Sequence, residues 1–183
     1  MPRKPRIWYP GAIYHIVCRG NRRQEIFRDD QDRMAYLGRL LEAKEKHDCK
    51  ILSYCLMKNH VHLQVQTSDI EIWKMMKQVN MNYAVFFNSK HNCVGHLFQG
   101  RYRSKLIETN AYNLAVSRYI HLNPVAAEIA ENPQDYEWSS YQVYLGRRSD
   151  RIVTVDEILK YFPNNCSIEY QKYVEGALNS GEV

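Results

Sequence analysis

The sequence KILSYCLMKNHVHLQVQ, residues 50–66, predicts two β-strands joined by a tight turn. Residues 50–57 are rich in Ile, Leu, Tyr and Cys, and residues 60–66 alternate in character, and both patterns are typical of strands. Lys58 and Asn59 lie between the two strands and form the predicted turn. This hairpin therefore supplies two neighbouring strands of a sheet.

The segments on either side of the hairpin complete a βαββαβ order. Residues 12–19 and 101–108 predict strands, and residues 30–47 and 70–88 predict amphipathic helices. This order favours an α+β fold of the ferredoxin-like class, in which helices pack on one face of a split βαβ sheet. Because that fold hosts many unrelated functions, it identifies none of them.

The helix boundaries follow from capping residues and from one proline. The candidate N-caps are Asp29 or Asp30 for the first helix and Ser68 or Asp69 for the second. A third helix is predicted over residues 110–122, and Pro124 sets its limit because proline disfavours helical geometry in the residue before it.

The sequence pattern divides the chain into two parts. Residues 1–130 form one predicted domain, and residues 131–183 form a C-terminal extension that is mostly helical. The helices of the extension are expected near residues 154–161 and 167–178.

The composition is that of an ordinary globular protein. The 183 residues are 45% hydrophobic and 25% charged, and the net charge of +5 permits an acidic partner without identifying one. The five cysteines include no CxxC pair, which argues against a disulfide framework and against a cysteine zinc site. No apolar run approaches the roughly 20 residues of a membrane span, and the N-terminus lacks a signal-peptide pattern. We therefore expect a cytosolic protein without a membrane partner.

Two histidines of the hairpin are candidate metal ligands. His60 and His62 lie two residues apart on a predicted strand, so their side chains project from the same face and can converge on one cation. Such a pair is by itself weak evidence, because surface or core roles are commoner for histidines on strands.

Tyr119 and Asn123 form a second candidate pair. They are four residues apart on the third predicted helix and therefore share a face. Asn123 would lie in the last turn, where its amide oxygen can act as a neutral metal ligand beside Tyr119. A tyrosine phenol, with an ordinary pKa of about 10, is a poor nucleophile, and a divalent cation that polarises a phosphodiester would assist its attack. Packing roles remain open for both residues.

Three further histidines have less decided positions. His121 lies on the helix face opposite Tyr119, so it is expected to be structural or to contact DNA. His15 is expected on a strand of the same sheet, with a satisfied polar contact as its role. His96 lies in a predicted loop.

Basic and aromatic residues alternate in three stretches. Cations can bind phosphates and aromatic rings can stack on unpaired bases, although a solvated charged face is an equal alternative. The candidate DNA-binding residues are Arg3, Lys4, Arg6, Arg19, Arg22, Arg23, Arg101, Tyr102, Arg103 and Lys105.

Together these motifs resemble those of the REP-associated tyrosine transposases. His60-Val-His62 is similar to the HUH motif, and Tyr119 with Asn123 is similar to the single-tyrosine transposases of that superfamily. The matching stretches occur in the family order, and they comprise residues 2–6, 14–21, 26–27, 57–63, 95–102, 119–125 and 138–141.

This resemblance implies a metal-dependent endonuclease and strand-transferase that acts on single-stranded DNA near hairpins or repeats, through a 5′-phosphotyrosine intermediate. It implies that residues 1–130 are the catalytic domain, with Tyr119 as the nucleophile, and that His60, His62 and Asn123 bind Mg²⁺ or Mn²⁺. It also implies a prokaryotic cytoplasmic protein associated with the nucleoid.

The sequence departs from the family pattern at three places. Asn123 replaces the glutamine of many relatives, Lys58 stands where proline is common, and residues 126–128 (Ala-Ala-Glu) replace a segment that is often Arg-Ala-Gly. A monomer is favoured over a homodimer because the link from Glu108 to Asn110 is short.

Two other functions remain open at this point. One is a non-catalytic module that binds single-stranded nucleic acid, which would need none of the four chemical residues. The other is a metal hydrolase that activates water, which would not need Tyr119.

Overall fold

The computed structural model describes residues 7–164 and 166–179. A four-stranded sheet has the order β2-β3-β1-β4, and each neighbouring pair is antiparallel. This arrangement confirms the predicted ferredoxin-like α+β class. The strands are β1 (Ile13–Arg19), β2 (Lys50–Met57), β3 (His60–Gln66) and β4 (Arg103–Ile107).

Five of the six α-helices in the described residues occur at or near the predicted positions. The six helices are α1 (Asp30–Lys46), α2 (Ile72–His91), α3 (Asn110–Ala126), α4 (Tyr141–Tyr144), α5 (Asp156–Leu159) and α6 (Cys166–Asn179). Of these, α4 was not predicted. Within the described ranges, no helix combines the length and the apolar character needed to cross a membrane.

The first two helices differ in how they begin. Asp29 caps α1 as predicted, since its carboxylate accepts a hydrogen bond from the Asp32 amide at 3.0 Å. The prediction that Ser68 or Asp69 caps α2 is wrong, because α2 begins after Glu71, which makes no side-chain cap. The Ser68 hydroxyl instead donates to the carbonyl of His47, 2.9 Å away, and so ties two loops together.

The sheet carries helices on both faces. α1 and α2 pack together over the face that includes Tyr14, Ile16 and Leu63, which is the main core. The helices of the βαββαβ unit therefore share one face, as predicted. α3 lies across the opposite face, where Val116 and Ile120 pack on a smaller core with residues of β2 and β4.

The prediction that Pro124 limits α3 is wrong, because the helix continues to Ala126. Proline removes a single backbone donor, and the last turn is still closed by the amide of Ala127 bonding to the carbonyl of Asn123 at 3.0 Å. The helix then ends around Glu128, which adopts a left-handed φ of 55°. The packing of α3 on β2 supplies the stabilisation that offsets the proline.

The C-terminal extension packs against both α3 and the edge of β2. Its backbone pairs with β2, since the amide of Leu56 donates to the carbonyl of Trp138 and that of Ser140 donates to the carbonyl of Tyr54. A second core joins the extension to Leu52 and to Leu122 of α3. The extension is helical as expected, and the domain boundary at residue 130 stays a prediction.

Candidate active site

The pairing of β1 with β3 sets the position of the two hairpin histidines. In this register His60 lies opposite Arg19 and His62 lies opposite Val17. Both histidines project from the face that α3 covers, and their ring centroids are 4.9 Å apart. The structure therefore places His60 and His62 together, as the two-residue spacing on a strand predicts.

Tyr119 reaches the same place from α3. Its ring lies edge-on to that of His62, with 5.5 Å between the centroids, and 51% of the side chain is exposed. The hydroxyl is thus reachable from solvent although the ring contacts the site. Tyr119 and His62 lie side by side within one chain.

A buried glutamine of β3 fixes the position of α3 on the sheet through hydrogen bonds. The Gln64 amide nitrogen donates to the backbone oxygen of Asn113 at 2.8 Å and to its side-chain oxygen at 2.6 Å. The Gln64 oxygen in turn accepts from the Ser53 hydroxyl at 2.7 Å. Because Gln64 follows His62 on the same strand face, this anchor sets the position of α3 relative to the histidines.

Asn123 lies one helical turn beyond Tyr119 and is 9% exposed. Its amide nitrogen donates to the carbonyl of Tyr119 at 2.9 Å, and its side chain also lies within hydrogen-bond reach of His60. The first contact uses the nitrogen, so the amide oxygen is the atom left to face the histidines.

Hydrogen bonds also orient both imidazole rings. The Nδ1 atom of His60 lies 2.6 Å from the Asn59 amide oxygen, which can only accept, so Nδ1 carries the proton and Nε2 keeps its lone pair. The Nδ1 atom of His62 lies 3.0 Å from Nε2 of His15. When His62 donates in that pair, its own Nε2 is also free to bind a cation.

His15 also belongs to the site, although its sequence context predicted only a satisfied polar contact. Its ring stacks on that of His62 with 5.2 Å between centroids and lies 5.7 Å from the Tyr119 centroid. The polar contact expected for His15 is present, and its partner is His62, a candidate metal ligand. No local motif marks His15, because its neighbour depends on the register between β1 and β3.

All three histidines favour the neutral form. Burial lowers the pKa of His62 to about 3 and that of His15 to about 4, and it also lowers the pKa of His60. The nearby Arg19 and Lys105 act in the same direction. Neutral imidazoles are the forms that bind a metal ion, so the site needs no deprotonation near pH 7.

The donor set fits a divalent cation. The ring centroids of His60 and His62 lie 4.9 Å apart and the Asn123 side chain lies within reach of His60, so two imidazole nitrogens and one amide oxygen are available in one place. A hydrogen bond through the other atom of each group orients these donors. Imidazole nitrogens suit Mn²⁺ better than Mg²⁺, which prefers oxygen ligands.

A second cluster of possible metal ligands has a different explanation. Asp29, Asp32 and His91 come together between α1 and α2. However, the Lys90 ammonium lies 2.6 Å from Asp29 and 3.0 Å from the buried carboxylate of Asp32, and so already occupies the place of a cation between them. This cluster joins two helices and lies on the other side of the sheet from Tyr119.

Residues 9–123 match the family model described as Transposase IS200 like. The chain belongs to the IS200-like transposase family. It is therefore a member of a family of DNA-cleaving enzymes, as the motifs around His60 and Tyr119 indicate. No curated protein matches the chain.

Three solved structures are similar to the chain at low sequence identity, and the first of them shares its fold. A REP-associated tyrosine transposase bound to a REP hairpin has a TM-score of 0.69 and 15% identity, over 85% of this chain and 90% of the other. The tRNA(His) guanylyltransferase of Saccharomyces cerevisiae has a TM-score of 0.50 and 9% identity, over 94% and 80%. A putative transposase from Deinococcus radiodurans has a TM-score of 0.46 and 16% identity, over 65% and 95%.

Three of the predicted DNA-binding residues of the transposase lie on the face of the active site. Arg19, Arg103 and Lys105 are exposed on β1 and β4, on the same face of the sheet as the histidines, and the Lys105 ammonium lies over the Tyr112 ring of α3. They form a basic floor next to the histidines, and this floor is hereafter called the basic strip.

The other predicted DNA-binding residues of the transposase are distributed differently. Arg22 and Arg23 lie in an exposed turn after β1, and Arg101 lies in the exposed loop before β4. Tyr102 is only 7% exposed and packs into the main core, so the structure does not bring it to the active-site face. Arg3, Lys4 and Arg6 lie outside the described residues.

His121 has a structural role in the transposase. It is fully buried on the face of α3 away from Tyr119, with Nδ1 2.7 Å from the Tyr170 hydroxyl and Nε2 2.7 Å from the Ser140 hydroxyl. The Tyr170 hydroxyl also lies 2.5 Å from that of Ser117. The C-terminal extension therefore holds the helix that carries the tyrosine.

Proposed function

We propose that this transposase is a metal-dependent single-stranded DNA endonuclease and strand-transferase that forms a 5′-phosphotyrosine intermediate. The observation that carries the proposal is the convergence of an exposed tyrosine with two neutral imidazoles and a buried amide in one chain. A protein that only binds nucleic acid has no need of this combination.

Tyr119 is the proposed nucleophile because its ring contacts His62 while half of its side chain stays exposed. Its oxygen would attack the phosphorus and form a phosphotyrosine bond as the bond from phosphorus to the 3′ oxygen breaks. The leaving 3′ oxygen takes up a proton, and solvent at the exposed ring takes the phenolic proton. Reversal by another 3′-hydroxyl would rejoin DNA without a nucleotide cofactor.

His60, His62 and Asn123 are the residues that would hold Mg²⁺ or Mn²⁺. When bound, such an ion polarises the phosphoryl oxygens and lowers the barrier to attack by the phenol. The proposed work of the chain is to keep the two imidazoles neutral, which burial does, and to orient them, which Asn59 and His15 do through their contacts with Nδ1 of each ligand histidine.

The proposed substrate is single-stranded DNA next to a hairpin or repeat. The basic strip lies beside the tyrosine and can bind successive phosphates. Hairpin DNA is proposed because the REP-associated tyrosine transposase that shares this fold is bound to a REP hairpin. Under this proposal a single chain is sufficient and acts on chromosomal DNA in a prokaryotic cytoplasm.

The test is an adduct assay with oligonucleotides taken from the DNA repeats that flank the gene. Strands labelled at the 3′ end are incubated with the protein and Mn²⁺ or Mg²⁺ and then separated on a denaturing protein gel. A labelled protein band that requires metal and is lost in Tyr119→Phe is expected. Tyr112→Phe is the matched control, because Tyr112 lies on the same helix and packs under Lys105.

Other outcomes identify the competing functions. Metal-dependent cleavage without an adduct would favour activated water as the nucleophile. Binding without cleavage or adduct across several repeats would favour a binding module.

A further inference from the structure

We propose that the cleft between α2 and the loop of residues 95–102 binds an unpaired base of the DNA strand that passes the active site. The inference rests on the proposed action on single-stranded DNA. It concerns a site on the other face of the sheet from Tyr119, and none of the four chemical residues contributes to it.

The size and lining of the cleft suit a planar aromatic guest. Its volume is about 810 Å³, within the range of roughly 300–1,000 Å³ that is common for small-molecule sites. The indole rings of Trp8 and Trp73 contribute to its walls, and Met76 and Leu97 provide a buried apolar floor. Aromatic and apolar walls are what a base stacks on when it leaves the solvent.

The charged residues at the rim fit a nucleotide. Lys77 and Arg101 line the cleft and can bind the phosphates on either side of a base. Glu71 also lies at the rim, where it accepts a hydrogen bond from the Trp73 indole. A carboxylate in this position would repel a phosphate but can accept from an amino group of a base.

A short backbone connection joins the cleft to the active site. The loop pairs with the end of β1, since the Asn21 amide donates to the Leu97 carbonyl and the Gln99 amide to the Arg19 carbonyl, both at 2.8 Å. Arg19 is the register partner of His60. A strand on the basic strip can therefore turn over this loop, past Arg101, and place a flanking base in the cleft.

The test compares two substitutions on neighbouring residues of α2. Ala84→Phe fills the cleft, whereas Val85→Phe adds the same ring at a position that is 67% exposed and outside the lining. Binding is measured by fluorescence anisotropy in EDTA with oligo-dT, oligo-dA, oligo-dC and an abasic strand of equal length. Circular dichroism checks that each variant folds.

The expected result is a loss of about tenfold in affinity for at least one base-bearing strand in Ala84→Phe, which corresponds to one stacked base. Its affinity for the abasic strand and all affinities of Val85→Phe should match the unaltered protein. Trp73→Ala, which changes a side chain that is 43% exposed, should show the same base-dependent loss and decides the matter if Ala84→Phe does not fold.

Equal affinities of the folded Ala84→Phe variant and the unaltered protein for all strands would overturn the inference. So would an equal loss for the abasic and base-bearing strands. Because the assay contains no metal, absence of the phosphotyrosine adduct would refute the proposed function and leave this result unaffected.

Discussion

The ring of Tyr119 lies edge-on to that of His62 in the same chain, with 5.5 Å between their centroids. The two residues come from α3 and β3, and the Gln64 contact with Asn113 holds these elements together. The candidate nucleophile and the candidate metal ligands thus form one site within a single chain.

This arrangement predicts that the tyrosine acts on DNA bound by its own chain. A mixture of Tyr119→Phe and His62→Ala should form no labelled adduct, since neither chain has a complete site. The unaltered protein diluted to the same site concentration is the control. Recovery of adduct in the mixture would show instead that α3 serves the site of a second chain.

A second prediction concerns His15. His15→Ala should weaken Mn²⁺ binding by about 10- to 100-fold, because Nδ1 of His62 loses the acceptor that leaves Nε2 free for the metal. His15→Gln should recover part of the affinity, since its amide oxygen can accept the same hydrogen bond. Titration calorimetry measures both, with the exposed His96→Ala as control. An unchanged Mn²⁺ affinity in His15→Ala would show that His15 does not orient His62 for metal binding.

A third prediction concerns the basic strip. Arg103→Gln should reduce the slope of log affinity against log salt by about 0.7, which is the value for one single-strand phosphate contact. The matched change is Arg151→Gln, at an exposed residue that pairs with Glu45 of α1. An equal slope in the two variants would place the DNA strand elsewhere on the protein.

The end of α3 provides a prediction about stability. Glu128 has a φ of 55°, in the left-handed region where glycine has no Cβ penalty. The amides of Glu128 and Ile129 close the turn on the carbonyls of Val125 and Pro124, both at 2.9 Å. Glu128→Gly should therefore raise the free energy of unfolding by about 1 kcal/mol, measured by urea denaturation. A free energy of unfolding below that of the unaltered protein would show that the Glu128 side chain stabilises the turn.

The buried His121 predicts a pH dependence of stability. Burial lowers its pKa in the folded protein to about 3, from an ordinary value of 6.5. Between these two values the unfolded chain binds more protons than the folded chain, so stability falls as the pH drops from 6.5 towards 3.

Thermal melting at several pH values measures this effect. His121→Gln should melt lower near pH 7, because it loses the hydrogen bonds to Tyr170 and Ser140, but its melting temperature should fall less on acidification. The exposed His96→Gln should keep the dependence of the unaltered protein. An identical acid dependence in His121→Gln would assign the effect to other groups.

Local patterns in the sequence predicted the strands, the three long helices of the first 130 residues and two pairs of site residues, but they misplaced the start of α2 and the end of α3. A strand repeats every two residues, so His60 and His62 had to share a face, and a helix turn brings Tyr119 and Asn123 together. The same reasoning put His121 on the far side of α3, where the structure has it.

Tertiary structure alone decided how these pairs meet. The register of β1 with β3 put His15 against His62, and the packing of α3 on the second face of the sheet brought Tyr119 to the histidines. Burial of the helix end let α3 pass Pro124. These outcomes depend on contacts between residues far apart in the chain. A local sequence pattern does not reveal the energies of such contacts and therefore could not predict them.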